Sequence, residues 1–74
     1  MSAADTIRMA NQIAQFFAPY PEEEAVDEVR NHLVKFWPVA MRSELVVLLE
    51  GPYAGDLHPL ALRAALGLVP SGDA

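Results

Sequence analysis

Six prolines punctuate this chain, and their spacing constrains its fold more than any other feature. Pro19 and Pro21 sit together in "APYP" at 18–21, Pro38 follows Trp37, Pro52 follows Gly51, and Pro59 follows His58. A proline removes a backbone donor, clashes with the preceding helical turn, and disfavours helix at the residue before it. The chain is thereby cut into segments of a few helical turns each.

The hydrophobic period within each segment is helical. In "RMANQIAQFF", residues 8–17, the polar side chains Arg8, Asn11, Gln12 and Gln15 share one arc of the helical wheel. Ile7, Met9, Ala10, Ile13, Ala14, Phe16 and Phe17 fill roughly the other half, so a first helix is expected from a cap at Ser2 or Asp5 to about Ala18. A second helix is expected to open at Pro21. Its first turn carries Glu22, Glu23 and Glu24, whose charges suit the positive end of the helix dipole. Val26, Val29, Leu33, Phe36 and Trp37 recur there at spacings that make one apolar stripe.

The third helix, Pro38 to Glu50, carries apolar residues nearly all round: Met41, Leu45, Leu48 and Leu49 on one face, Val39 and Val46 on another, Ala40 and Val47 on a third. Such a helix is expected to be buried on every side. Gly51 is read as its C′ residue, "GPYAGD" at 51–56 as a loop, and "LALRAAL" after Pro59 as a short fourth helix ending near Gly67. The fold class is therefore all-α, a single small domain over 1–74 built as a bundle of three main helices plus a short C-terminal one. Order is expected over about 3–67, with a loose tail at 68–74. "LVVLL" could form a strand, but it lies inside a longer helical segment and one strand makes no sheet.

Composition then limits the function. Seventy-four residues give a marginal core, yet 53% of them are hydrophobic. There is no Cys, which excludes disulfides, thiolate chemistry and cysteine-based metal sites. The net charge of −5 argues against nucleic acid and against an anionic membrane surface. No run is long enough to span a bilayer, the N-terminus lacks signal-peptide features, and the chain reads as cytoplasmic. Apolar surface in excess of the available interior points to a partner protein.

No catalytic, cofactor-binding or metal constellation emerges. Glu22 to Glu24 read as a solvated first turn, His32 as an edge residue of the second helix, and His58 as a neighbour of a helix cap. Ser43, between Arg42 and Glu44, has neither a nucleophile setting nor the Asp-Ser-Leu context of a carrier protein's phosphopantetheine attachment. A small DNA-binding regulator would need a basic helix that is absent. Arg42 stands out because it falls inside apolar territory. Either it snorkels to water along its stem, or it meets a carboxylate or backbone carbonyls, on this chain or another.

The run Arg8-Met9-Ala10-Asn11-Gln12-Ile13 with Phe16-Phe17, then His32, Phe36-Trp37, Met41-Arg42 and "LHPL" at 57–60, resembles the delta subunit of NAD-dependent formate dehydrogenases over about residues 6–66. The resemblance departs at Pro38-Val39-Ala40, where the family has its proline shifted and one more arginine, and at His58, where it usually has Asp. It implies a helical, non-catalytic accessory subunit that assembles or stabilises a cytosolic complex oxidising formate to carbon dioxide and reducing NAD⁺. The bis-guanine-dinucleotide molybdenum cofactor, iron–sulfur clusters and FMN are then implied in the larger subunits, none of them in this chain. The most direct partner is the molybdenum-containing catalytic subunit. Met9, Asn11, Phe16, Phe17, Trp37, Met41 and Arg42 are the expected partner contacts; alternatively the chain is a small acidic carrier or interaction module unrelated to formate.

The excess of apolar surface makes a prediction for the isolated chain: helical, but weakly stable or self-associating. Far-ultraviolet circular dichroism melts at several concentrations check it. A sharply cooperative, concentration-independent monomer with a high midpoint would contradict it.

Overall fold

The computed structural model describes residues 2–69. Four helices follow in order: α1 (Ala3–Phe17), α2 (Glu22–Phe36), α3 (Val39–Leu48) and α4 (Pro59–Leu66), with a 3₁₀ turn at Pro52–Asp56 between the last two. The architecture is all-α, as the proline spacing and the 3.6-residue period require. Among the described residues, no helix is long and apolar enough to cross a membrane.

The helix starts follow from local chemistry. Ser2 is the N-cap of α1, and its Oγ accepts from the Asp5 N–H at 3.1 Å. Asp5 in turn accepts from Arg8 at 3.0 Å. That bond, more than the one from Ser2, holds the Asp5 carboxyl below its ordinary range. A depressed carboxyl stabilises the folded chain above its unfolded-state value, and this support is lost as pH falls through the lower folded value. Pro21 and Pro38 cap α2 and α3 from just outside, so both helices begin one residue later than expected. The arginine of α4, Arg63, reaches Glu22 and, at 2.7 Å, Glu23 in the first turn of α2. Glu23 raises the Arg63 guanidinium above its ordinary value, but the pair is exposed and contributes little to stability.

Packing centres on α2. Val29 and Leu33 are fully buried, and with Ala25 they meet Ala61, Ala64 and Ala65 of α4 and Ala10 and Ala14 of α1 within one core. Leu45 of α3 completes it, alongside Thr6, whose hydroxyl lies 3.1 Å from Glu44 and 3.2 Å from the Ser2 carbonyl.

Several expectations are corrected. The third helix is not buried all round: Leu45 alone is fully enclosed, while Val39 is 66% and Val47 70% exposed. Among the described residues no element lies on the far side of α3, which packs on α1, α4 and the 3₁₀ turn. Phe36, read as part of the inward stripe of α2, is 70% exposed. Gly51 is not a left-handed C′ residue; its φ is −106°, and it opens the 3₁₀ turn that replaces the expected loop. At the start of the tail, Leu68 packs against the core and its N–H donates to the Ala65 carbonyl at 2.9 Å. Its remainder, 70–74, lies outside the described residues.

The end of α4 is closed from α2. Arg30 Nε donates to the Ala64 carbonyl at 3.2 Å and Nη2 to that of Arg63 at 3.3 Å. A cation there also opposes the negative end of the α4 dipole. Gly67, the C-cap, leaves room for the guanidinium; a Cβ on it would fall on Arg30. Its φ of −71° suits any residue, so backbone entropy alone would make Gly67→Ala stabilising. The guanidinium reverses that sign. Gly67→Ala is expected to destabilise by about 1–2 kcal/mol through the displaced bonds. In an Arg30→Ala background the same change should be neutral or stabilising. Urea titrations of the four chains check this cycle.

Candidate functional site

An apolar groove of about 400 Å³ lies between α1 and the C-terminal half of α2. Met9, Gln12, Ile13, Phe16 and Phe17 line it from α1, and His32 and the C-cap residue Trp37 from the end of α2. Their spacing along α1, from 9 to 13 to 16 and 17, puts four apolar side chains on one helical face. Trp37 forms its floor and is only 6% exposed, whereas Phe16 on the rim is 71% exposed. The Phe16 and Phe17 rings meet edge to face at 4.9 Å, and Phe17 meets Tyr20 at 5.7 Å. On the α2 side, the exposed Phe36 ring lies 4.7 Å from His32. Aromatic side chains on an apolar floor are the composition of the energetically dominant part of a protein–protein contact.

The expected contact residues divide into two groups. Met9, Phe16, Phe17 and Trp37 are brought together in this groove. Asn11, Met41 and Arg42 are not: Met41 packs partly buried against the core, and the other two bind the chain's own backbone. Arg42 Nη1 donates to the Trp37 carbonyl at 2.7 Å and to that of Val34 at 3.1 Å, which closes the C-terminal end of α2 across the Pro38 bend. It therefore meets backbone carbonyls, and they belong to this chain.

Asn11 uses both ends of its amide. Nδ2 donates to the Asp56 carbonyl at 2.9 Å, and Oδ1 accepts from the His58 N–H at 2.7 Å. One α1 side chain thus ties down the junction between the 3₁₀ turn and α4. His58 is the N-cap of α4, with its Nδ1 accepting from the Leu60 N–H at 3.1 Å. An aspartate at this position would offer the helix start an acceptor of the same kind.

Phe36 is the residue that sequence reasoning placed on the wrong side. Periodicity grouped it with Leu33 and Trp37, but among the described residues no element covers α2 on the side of Phe36, which is left exposed. Among the described residues neither histidine has a carboxylate partner, and no group of three or more His, Asp or Glu side chains could hold a metal ion. Ser43 sits exposed within α3.

Residues 6–65 match the family model described as NADH-dependent formate dehydrogenase delta subunit FdsD. No curated protein and no solved structure matches the chain. The family match covers most of the sequence, and the chain belongs to this family of formate dehydrogenase delta subunits.

The Asn11 clamp and the His58 cap separate cleanly by substitution. Asn11→Ala leaves the half-buried His58 N–H at the start of α4 without its acceptor and is expected to destabilise by about 1 kcal/mol. His58→Ala is expected to lose about 1 kcal/mol, whereas His58→Asp restores the cap and returns the stability to within a few tenths of the parent. Thermal melts of the isolated variants check both.

Proposed function

We propose that this chain is a non-catalytic accessory subunit that assembles or stabilises a cytosolic, NAD-dependent formate dehydrogenase by docking its α1/α2 groove onto a larger subunit. The observation that carries the reading is the groove itself. A delta-subunit chain of 74 residues leaves Phe16 and Phe36 about 70% exposed beside a tryptophan floor. Water exclusion over such a surface supplies the driving force for association.

The residues of this chain would then act by geometry. Arg42 fixes the α2 end that presents Trp37 and Phe36, and the Asn11 clamp fixes α1, which presents Met9, Phe16 and Phe17. Both ties hold groove-forming helices rigid before a partner arrives, which reduces the entropy lost on binding. The partner of choice is the molybdenum-containing subunit that oxidises formate. The molybdenum cofactor, iron–sulfur clusters and FMN would reside in the larger subunits, and no step of the reaction is assigned to this chain.

Deletion of the chain should lower the yield or stability of active formate dehydrogenase and leave turnover per molybdenum nearly unchanged. Phe16→Gln, on the exposed rim, should keep the isolated chain's helicity and weaken its association with the larger subunits at least tenfold, about 1.4 kcal/mol. Trp37→Ala should impair folding and binding together. A binding titration, with metal analysis and activity of the surviving complex, checks all three. A fall of orders of magnitude in turnover at unchanged cofactor content would overturn the accessory reading.

A further inference from the structure

The floor of the groove and the exposed ring on its rim lie toward opposite ends of α1. The connection at 18–21 turns the chain back, so the C-terminal half of α2 runs beside the N-terminal half of α1. His32 and the Trp37 floor are therefore at the Met9 end of the groove. Phe16, on the rim, stands seven residues further along, about 10 Å at the rise of an α-helix. A hole at one end of a helical face and a knob at the other make that face complementary to itself when two copies run antiparallel.

The spacing fits such a pairing. Met9, Gln12, Ile13 and Phe16 line the groove at intervals of three, one and three, which read the same in both directions. Two copies of α1 laid antiparallel about a point between Gln12 and Ile13 bring each Phe16 ring opposite the Met9 thioether of the other copy. Sulfur against an aromatic ring is a favourable contact.

Charge permits the contact on this face. The groove's lining includes no carboxylate, Lys or Arg, and the sequence has none between Met9 and Pro21. One turn away from the lining residues along their own helices stand Asp5, Arg8, Glu28 and Lys35, two of each sign. Asp5 and Arg8 already pair at 3.0 Å. The net charge of −5 thus belongs to the rest of the chain, and two copies meet here without the like-charge repulsion that opposes contact elsewhere.

We propose that the free chain forms a two-fold dimer through this groove, α1 against α1, with each Phe16 seated at the Trp37 end of the other copy's groove. The occupant before assembly is a second copy, and a larger subunit reaches the groove by displacing it. The dimer keeps the aromatic surface covered until then. This inference goes beyond the docking reading and does not depend on it.

The test is sedimentation equilibrium of the isolated chain over a concentration series, with each variant first checked for unchanged helicity. The parent should show a monomer–dimer equilibrium. In a two-fold contact each residue is used twice, so a ring worth about tenfold in a one-sided contact is worth about a hundredfold in the dimer. Phe16→Gln should raise the dimer dissociation constant by that factor, and Val47→Ser, on the outward side of α3, should leave it unchanged. The chain has no Cys, so Gln12→Cys places one thiol per copy beside the two-fold axis. Mild oxidation should join two copies of it, and Ser43→Cys on α3 should not cross-link. Excess larger subunit should suppress the Gln12→Cys product. A parent that stays monomeric at millimolar concentration, or a dimer that Phe16→Gln leaves intact, overturns the proposal. Co-purification of the larger subunits reads docking separately. If Phe16→Gln abolishes the dimer yet retains them like the parent, the dimer stands and the docking reading falls. If the parent is monomeric and Phe16→Gln releases them, docking stands and the dimer is overturned.

Discussion

The alanine seam around α2 governs the rest of the molecule. Ala10 and Ala14 of α1, Ala25 of α2, and Ala61, Ala64 and Ala65 of α4 are all fully buried. Small side chains let helices approach closely and lose no rotamer entropy on burial. Around them the larger buried side chains fill the interior, with Leu33, Leu45 and Val29 fully enclosed and Trp37 at 6% exposure. The larger apolar groups, Phe16, Phe36 and Val47, are left outside. The helices thus meet one another through alanine at their closest contacts, while phenylalanine side chains are left on the outside.

Polar ties compensate for the thin core. Arg30 closes the end of α4, Arg42 closes the end of α2, and Asn11 holds the start of α4. Each joins backbone groups that a helix end leaves unpaired to a side chain from a different element. In a domain this small, such bonds set the relative positions of the helices, which aliphatic contacts alone leave loosely specified.

Helix positions were legible in the sequence because proline, capping residues and period are local signals. The four helices begin and end within two residues of where those signals put them. Burial was less legible. The all-round apolar pattern of α3 and the stripe that included Phe36 describe what each helix offers, and whether a neighbour exists to accept it depends on the whole chain. For the candidate site, Met9, Phe16, Phe17 and Trp37 were found because helical spacing gathers them. Asn11 and Arg42 were also singled out; backbone carbonyls were one reading of Arg42, and the structure selects those of this chain, but the bonding of Asn11 was not foreseen. The partners of Asn11 are 45 and 47 residues away in sequence, and no periodicity encodes a tie across that distance. Arg30 gave no signal, since its carbonyl partners are 34 and 33 residues off.

That separation has a kinetic consequence for the Asn11 clamp. A bond across 47 residues closes a loop containing most of the chain, and its entropy must be met by contacts formed at the same time. The tie between α1 and residues 56–58 therefore closes only when both are in place, and the His58 amide is held by Asn11 only while α1 is docked. Its hydrogen exchange reads the departure of α1 directly, from the opposite end of the sequence, and local fraying of α4 alone leaves that proton held by Asn11.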